Sequence, residues 1–382
     1  MLQTHPGQAF VGREREVQAV QAALEAAARG QGGLLFITGE AGIGKTRLAR
    51  EAQRLALERG FRWLAGRYDK DGGITLQPYV EAVRLLLESG GAEKLPELAG
   101  PYAPELARAF PDLAAVLGPA VLAQQLALQD PQTARQRTLD AICHLFLGIA
   151  RHSDASGLAL FLDDLHWAPS MEVLHALARR ASGAPLLLLA TYRDPDLHET
   201  PALSQAVLAM NRERIFQALP LRGLTREEAA TLLEAALGQP PSASLVEALH
   251  ALTGGNPFFL EEMARYLLER DALAQTNGSL ALKEGTALEL PRSIRAVVEE
   301  RLGRLSEEAR RALAVASVIG EEFSLALVCE VTGLSGDALA DAVDGSSAAF
   351  LIAPLVGGVT TCWWGRPWRG CTHRAWRTTP MP

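Results

Sequence analysis

Short runs of apolar residues alternate with longer amphipathic stretches through roughly the first 220 residues of the chain. Strands that are covered on both faces are apolar on both faces, so the continuous runs predict buried strands of a parallel sheet. The stretches between them have apolar residues at helical spacing, which predicts helices on both sides of that sheet. The pattern is typical of an α/β domain. The predicted strands are 33–38, 62–67, 158–164, 185–192 and 215–221.

Beyond this region the alternation stops. Within the first 220 residues, the segment 90–130 is an exception, because it is rich in proline and glycine and favours short helices over sheet. From Thr225 to Leu290 the pattern is helical only. Thr225 and Glu228 are spaced as a capping box, Gly238 suits a helix end, and Pro257 suits the first turn of a second helix.

From Leu290 on, several short helices with tight turns suit a small helical or a winged-helix domain. The length of 382 residues also favours two or three domains, because single cores stop growing well below that size. The predicted divisions are an α/β domain at 1–222, a helical domain at 223–289, a partial winged-helix domain at 290–345 and a tail at 346–382.

The tail departs from the rest of the chain in composition. All 44 acidic residues lie at or before Asp344, whereas the tail holds four of the six tryptophans. No helix or strand period fits it. A shifted reading frame of GC-rich DNA yields mainly arginine, tryptophan, cysteine, proline, glycine and threonine, so we expect a frameshifted or disordered tail. The alternative is a basic aromatic peptide that contacts membrane or RNA.

Composition excludes several classes of protein. The chain is 48% hydrophobic and 21% charged with a net charge of −7, which argues against a surface built for nucleic acid or anionic membrane. Four cysteines without CxxC or zinc spacing predict neither a disulfide framework nor a zinc site. The first residues are too polar for a signal peptide, and the apolar runs are too short to span a membrane. We therefore expect a cytoplasmic protein without membrane contact.

A glycine-rich turn between the first predicted strand and a helix is the strongest chemical signal. Residues 39–46, GEAGIGKT, satisfy the pattern GxxxxGK[ST]. Glycines let backbone N–H groups point at phosphate oxygens, and the helix N-terminus adds its positive dipole. Lys45 is expected to bridge the β- and γ-phosphates, and the Thr46 hydroxyl to hold Mg²⁺.

Polar residues follow two later strands. In LALFLDDLHWA an apolar strand ends in Asp163 and Asp164. The acid at the tip of a neighbouring strand holds Mg²⁺ in P-loop proteins, which fits Asp163, and Asp164 would then orient or deprotonate the attacking water. His166 and Trp167 could line the edge of the site, although packing suits Trp167 better.

In LLLLATYRD, Thr191 and Arg193 are candidates for sensing the γ-phosphate, with strand capping as the alternative. Two further segments, FVGRERE at 10–16 and GGNPFF at 254–259, have no chemical signature of their own and read as turns.

These segments, in this order, resemble the AAA-like ATPase module of STAND-type bacterial regulators. The similarity is strongest to large ATP-binding LuxR-family transcriptional regulators and to related ATPase regions of some adenylate cyclases. FVGRERE, GEAGIGKTRLA, LFLDDLHWAPS, LLLLATYRD, LRGLTREEAATLL and GGNPFFLEE carry the resemblance, over roughly residues 8–345.

The resemblance implies roles for individual residues. Phe10, Val11, Gly12 and Arg13 would pack around adenine, and Pro257 would close over the base from the lid. Arg193 would read the γ-phosphate and act in catalysis with Lys45 and Asp164. The remaining nucleotide-binding positions would be Gly39, Glu40, Ala41, Gly42, Ile43, Gly44, Thr46 and Arg47.

The resemblance also implies ATP and Mg²⁺ as ligands, self-association on ATP binding, and a winged-helix lid at 291–345. Family members continue into sensor repeats and a DNA-binding helix-turn-helix that this sequence lacks, so we expect a C-terminally truncated chain that does not itself bind DNA. His373 lies in the tail and takes no family role.

The expected function is an ATP-binding, slowly ATP-hydrolysing switch module of a bacterial LuxR-type transcriptional regulator. The resemblance also leaves open the ATPase region of an adenylate cyclase or kinase-type signalling protein. Two further alternatives are a P-loop phosphotransferase and a DNA-binding loader or regulator. Residues 66–79 offer no convincing lid for the first, and the mixed arginines and glutamates of 292–311 provide no basic recognition face for the second.

Overall fold

The structure is a computed structural model. It describes residues 10–69, 75–90, 93–118, 121, 130–152, 155–194, 197, 200–276, 278–286, 291, 299, 302–303, 305–319, 322–348, 352–354 and 359–362.

The chain divides into two compact units. The sheet unit consists of Arg13–Gly39 and Lys45–Leu221, and the helical unit consists of the residues up to Gly12, the short segment Glu40–Gly44, and everything from Arg222 on. Each unit has its own cluster of buried apolar side chains.

The sheet unit is built on five parallel strands: β1 (Gly33–Thr38), β2 (Phe61–Arg67), β3 (Gly157–Asp163), β4 (Leu186–Tyr192) and β5 (Phe216–Pro220). Their order in the sheet is β2-β3-β4-β1-β5. All five predicted strands are confirmed, with ends that differ by at most one residue. One expectation is not met: the two acids follow β3, and β3 does not neighbour β1 because β4 lies between them.

Helices cover both faces of this sheet, as the continuous apolar strands predict. Leu34 and Phe36 of β1 point into the larger apolar cluster, whereas Leu35 and Ile37 are equally buried on the other face. Because one strand buries both sets, its sequence shows no alternation. The helices of this unit are α1 (Glu14–Ala28), α2 (Lys45–Glu58), α3 (Gln77–Glu88), α4 (Leu95–Ala99), α5 (Ala103–Ala109), α6 (Pro111–Leu117), α7 (Pro131–His152), α8 (Glu172–Ala181) and α9 (Pro201–Glu213).

The helices α1 and α2 pack on each other and on the sheet, and α7 packs with α8 in the same way. The proline-rich region contributes the short helices α4, α5 and α6, as predicted. With this arrangement the carboxyl ends of β1, β3 and β4 lie along one edge of the sheet, where ligands of open α/β sheets bind.

The helical unit contains α10 (Arg226–Leu237), α11 (Ala243–Thr253) and α12 (Pro257–Glu269). The predicted capping box of α10 is confirmed, with both hydrogen bonds between Thr225 and Glu228. The prediction that the region is helical only is wrong, because β6 (Leu273–Thr276) and β7 (Ser279–Leu282) form an antiparallel hairpin.

Three more helices and a small sheet follow: α13 (Glu307–Ile319), β8 (Glu322–Ser324), α14 (Leu325–Thr332), α15 (Gly336–Ala348), β9 (Ile352–Pro354) and β10 (Val359–Cys362). The strand order is β8-β10-β9. β9 and β10 lie in the tail, where no strand period was visible in the sequence. The frameshifted origin of the tail stays a prediction. Most of 292–301 and all of 363–382, including His373, lie outside the described residues, and the winged helix stays a prediction.

Among the residues that the structure describes, none of the helices combines the length and the hydropathy that crossing a membrane requires.

Candidate functional site

The turn between β1 and α2 has the backbone of a phosphate-binding loop. Gly39, Gly42 and Gly44 have φ angles of 137°, 80° and 104°, which side chains other than hydrogen rarely permit. The strand ends at Thr38, whose carbonyl accepts the Leu221 N–H at 2.8 Å. The strand–turn–helix context that the motif requires is present.

Lys45 begins α2 with a nearly buried ammonium group. Its Nζ donates to the Gly39 carbonyl at 2.7 Å, and the residue is only 8% exposed. Burial lowers the lysine pKa to about 8, helped by the nearby charge of Arg193. Since burial disfavours the charged form, a bound anion would be the natural partner of this group.

Three carboxylates oppose that loss of charge. Asp163, Asp164 and Asp194 each raise the pKa of Lys45. The sheet unit therefore brings together four of the predicted site residues, namely Lys45 and Arg193 as cations with Asp163 and Asp164 as anions. Like and unlike charges concentrated in a partly buried place are typical of functional sites.

Asp163 is held by Thr191, the residue near the end of β4. The Thr191 hydroxyl donates to Asp163 Oδ1 and accepts the Asp164 N–H at 3.0 Å. Burial raises the pKa of Asp163, and the neighbouring Asp164 raises it further. Thr191 is fully buried, so in this structure its hydroxyl fixes the acid at the end of β3.

Asp164 has a strained backbone conformation and forms an ion pair with Arg67. Its φ and ψ are 57° and 48°, in the left-handed region that non-glycine residues rarely occupy. Its Oδ2 accepts from Arg67 Nη2 at 2.7 Å, and the His166 Nε2 lies 3.8 Å from Oδ1. The ion pair with Arg67 orients this carboxylate.

Sequence reasoning missed Arg67. It ends β2 and is in register with Asp163 across the parallel pair, so only the strand order shows that the two ends meet. The available signal was its place at the end of a predicted strand.

Asp194 was also missed. It follows Arg193 directly at the end of β4, and a hydrogen bond from Thr38 partly offsets the burial that raises its pKa.

The remaining loop residues are mostly sheltered. Glu40 and Ile43 are 6% and 2% exposed, and the Ile43 N–H donates to the Glu40 carbonyl at 3.4 Å. Thr46 and Arg47 are half-buried in the first turn of α2. Thr46 directly follows Lys45, so its hydroxyl lies at the start of α2, as the motif predicts.

Residues 11–13 separate into two environments. Val11 packs against the apolar cluster of the helical unit. Gly12 has a φ of 67°, and a Cβ there would lie 2.1 Å from Oε1 of Glu228, the acid of the capping box. Arg13, in the sheet unit, is 8% exposed, has a φ of 71°, and its Nη1 lies 3.4 Å from Glu16. The conformation therefore favours glycine at position 12, and a larger residue there would displace the Glu228 side chain.

The other predicted edge residues lie on short elements. His166 and Trp167 belong to a 3₁₀ turn, Leu165–Trp167, with their rings 4.8 Å apart. Trp167 packs against the apolar cluster of the sheet unit, in agreement with a packing role. Pro257, in the helical unit, is half-buried at the first position of α12.

A magnesium ion fits the donors of the sheet unit. Thr46 offers a hydroxyl and Asp163 a buried carboxylate, and Mg²⁺ takes few protein ligands because phosphates and waters complete its octahedron. Of the residues that the structure describes, no group of three or more His, Cys, Asp or Glu could hold a metal on its own. Two protein donors suit an ion whose remaining ligands are phosphate oxygens and waters.

Comparison with known proteins agrees with this geometry. Residues 9–189 match the family model described as the AAA ATPase domain. A Walker-type ATPase of Pyrococcus abyssi superposes with a TM-score of 0.52 over 93% of both chains, at 13% sequence identity, which shows the fold. The chain has the fold of a P-loop NTPase, and the match supports an AAA-like ATPase module in its first half.

Two further likenesses concern longer proteins. An uncharacterized protein of Rhizobium meliloti (strain 1021) is 27% identical over 361 residues, 88% of this chain, and the chain spans 32% of the length of that curated relative. A STAND protein with a tetratricopeptide repeat sensor from Pyrococcus horikoshii aligns over 93% of this chain and 42% of its own, with 17% identity and a TM-score of 0.38, too low to support an argument.

Proposed function

We propose that this chain is an ATP-binding, slowly ATP-hydrolysing switch module of a LuxR-type bacterial transcriptional regulator. The observation that carries the ATP-binding part is the buried ammonium of Lys45, placed at the start of a helix behind three glycines with positive φ. A buried ammonium group keeps its charge most favourably when a phosphate oxygen takes the place of the water that burial removes.

Binding is the first step of the proposed mechanism. The backbone N–H groups of residues 40–45 would donate to the phosphates, and Lys45 would leave the Gly39 carbonyl for the β- and γ-phosphate oxygens. Thr46 and Asp163 would hold Mg²⁺. That ion would neutralise charge on the phosphate oxygens. Arg193, whose charge already acts on Lys45, is suited to bind the γ-phosphate.

Hydrolysis needs a water in line with the γ-phosphorus. Asp164, fixed by Arg67, would accept a hydrogen bond from that water and take its proton as the new P–O bond forms. The bond from the γ-phosphorus to the bridging oxygen breaks, and ADP leaves with inorganic phosphate.

The regulatory role extends this chemistry. In a switch, ATP and ADP stabilise different arrangements, so that hydrolysis resets a signal. We propose that residues 223–289 form the lid and 290–345 a partial winged helix, that Val11, Gly12, Arg13 and Pro257 contact the adenine, and that ATP binding promotes self-association. The LuxR assignment and these roles rest on the sequence resemblance.

Replacement of Asp164 tests the hydrolytic step. Asp164→Asn keeps the size of the side chain but removes the proton acceptor, so ATP affinity should stay within about threefold while phosphate release slows by about a hundredfold. Asp140→Asn is the matched control, because Asp140 pairs with Arg180 on the surface of the same unit. Hydrolysis by Asp164→Asn at the wild-type rate would contradict the mechanism.

A phosphotransferase is separated by the same assay. Turnover of the switch needs only ATP, Mg²⁺ and water, whereas a phosphotransferase needs a small-molecule acceptor. Phosphate release that starts only after an acceptor is added would therefore favour the phosphotransferase.

A further inference from the structure

The outer side of the phosphate-binding loop is bonded to the start of α12. The side-chain Nδ2 of Asn256 donates to the carbonyl of Ala41 at 3.1 Å. The Phe258 N–H lies 3.4 Å from the Gly42 carbonyl. Both carbonyls belong to the segment Glu40–Gly44, which is part of the helical unit. A loop that points its N–H groups at a ligand must satisfy its carbonyls elsewhere, and here two of them meet the same turn.

Asn256 has two separate tasks. Its Oδ1 accepts the Phe258 N–H at 3.2 Å and so caps α12, while its Nδ2 bonds the loop. Asn256 is completely buried. If either bond were lost, the unpaired amide atom would have no water to replace its partner, which is unfavourable. The two tasks use different atoms, so substitutions can separate them.

The glycine at position 42 fits this contact. A Cβ on Gly42 would lie 2.9 Å from the Phe258 Cβ and 3.1 Å from the Asn256 Oδ1. The Gly42 φ of 80° already favours glycine. The absence of a side chain thus serves the close approach of Asn256 and Phe258 to the outer face of the loop.

The turn that carries Asn256 is itself fixed. The Leu224 N–H donates to the Gly255 carbonyl at 2.8 Å, and the Asn256 N–H donates to the Thr253 carbonyl at 3.1 Å. The His250 Nε2 lies 2.8 Å from the Leu224 carbonyl. A Cβ on Gly255 would lie 2.3 Å from that same carbonyl oxygen. The turn that carries the Asn256 Nδ2 donor is therefore held in place by its own hydrogen bonds.

We propose that Asn256 is a positioning residue for the nucleotide site: it holds the loop at Ala41 in the conformation that binds a triphosphate. This inference rests on the proposed function, because it assigns a cause to the affinity of that site. A loop fixed beforehand loses less conformational freedom on binding, so the bond should increase affinity without contact between Asn256 and the nucleotide.

Two substitutions remove the donor and keep the cap. Asn256→Ser and Asn256→Asp both leave an oxygen that can accept the Phe258 N–H, since Ser and Asp are good N-caps. The aspartate carboxylate has no donor, and the serine hydroxyl ends one bond short of the Nδ2 position from which Asn256 donates to Ala41. The serine variant is neutral and the aspartate variant keeps the size, so agreement between them excludes charge and cavity effects. Ser242→Asp is the control, because Ser242 caps α11 through the Leu245 N–H and lies on a different helix end.

The first readout is the dissociation constant of MgATP, measured by titration with a fluorescent ATP analogue. We expect both Asn256 variants to bind at least about tenfold more weakly, a change of about 1.4 kcal/mol, and Ser242→Asp to bind as the wild type does. Turnover at saturating ATP should change by less than about threefold, because a positioning role of this kind acts on binding.

The second readout is hydrogen exchange of residues 39–46 without nucleotide, which is independent of ATP binding. We expect faster exchange in that segment and unchanged exchange in α12. Wild-type affinity together with wild-type exchange in either Asn256 variant would overturn the inference, even if the other variant failed to fold, and would leave the proposed function intact. A wild-type protein that bound no nucleotide would overturn the proposed function instead, while the exchange result still decided the contact.

Discussion

Two ends of neighbouring strands meet in the ion pair between Arg67 and Asp164, which makes Arg67 a candidate for control of hydrolysis. Arg67 Nη2 lies 2.7 Å from Oδ2 of Asp164, although the arginine side chain is 59% exposed. An ion pair as exposed as this contributes little to stability. Its consequence is therefore expected in the direction of the carboxylate rather than in folding.

Replacement of Arg67 should separate turnover from binding. In Arg67→Gln the Asp164 carboxylate loses the group that orients it, so we expect kcat for ATP to fall by about tenfold, equivalent to about 1.4 kcal/mol, with the dissociation constant unchanged. Steady-state phosphate release and ATP titration measure the two quantities.

The control for that substitution lies on the same strand. Arg62 is at the other end of β2, opposite Leu158, and its Nη1 lies 3.4 Å from the Ser89 hydroxyl. Arg62→Gln should keep both kcat and affinity. An Arg67→Gln protein that turned over as fast as wild type, or that lost affinity instead, would show that the ion pair does not orient Asp164 for catalysis.

At the residue scale, sequence alone predicted the groups that a local motif defines. Lys45 and Thr46 follow the glycines in a fixed pattern, and Asp163 ends an apolar strand. Arg67 and Asn256 make contacts between segments far apart in the chain. No local spacing marks such residues, because the partner is set by strand order or by packing.

At the scale of elements, the buried strands were predictable because each is apolar along its whole length. The order of the strands was not, since the sequence does not state that β4 inserts between β1 and β3. The hairpin of β6 and β7 was missed although an Asn-Gly pair separates LAQT from SLAL. That pair is a strong hairpin signal, and the surrounding helical periodicity outweighed it in the sequence interpretation.

The capping box of α10 allows a stability prediction for one element. Thr225 Oγ1 accepts the Glu228 N–H at 3.2 Å, and Glu228 Oε2 accepts the Thr225 N–H at 2.7 Å. Thr225→Ala leaves the Glu228 N–H without its acceptor, so the free energy of unfolding should fall by about 1 kcal/mol. Urea unfolding followed by circular dichroism measures the change.

Thr231 provides the comparison within the same helix. Its hydroxyl donates to the Glu227 carbonyl in the helix interior, where alanine has the higher helix propensity. Thr231→Ala should therefore be neutral or slightly stabilising. Equal losses from the two substitutions would mean that the capping box adds no specific stability to α10.

At the scale of the whole molecule, the fold class followed from the sequence and the finer assignments did not. Apolar strands with helices between them, a glycine loop after the first strand and acids after the third predicted a P-loop fold, which the structure and its likeness to a Walker-type ATPase confirm. The regulatory role, the lid and the winged helix depend on how parts of the chain respond to nucleotide, and a single arrangement of atoms contains no such response.

The most direct test of the account is the equilibrium affinity for MgATP of the wild type and of Lys45→Ala, measured side by side by calorimetry, with circular dichroism to show that both are folded. The account predicts saturable binding of one ATP by the wild type and at least about a hundredfold weaker binding by the variant, a loss of about 2.7 kcal/mol. Equal affinities in the two proteins, or no binding by a folded wild type, would contradict it.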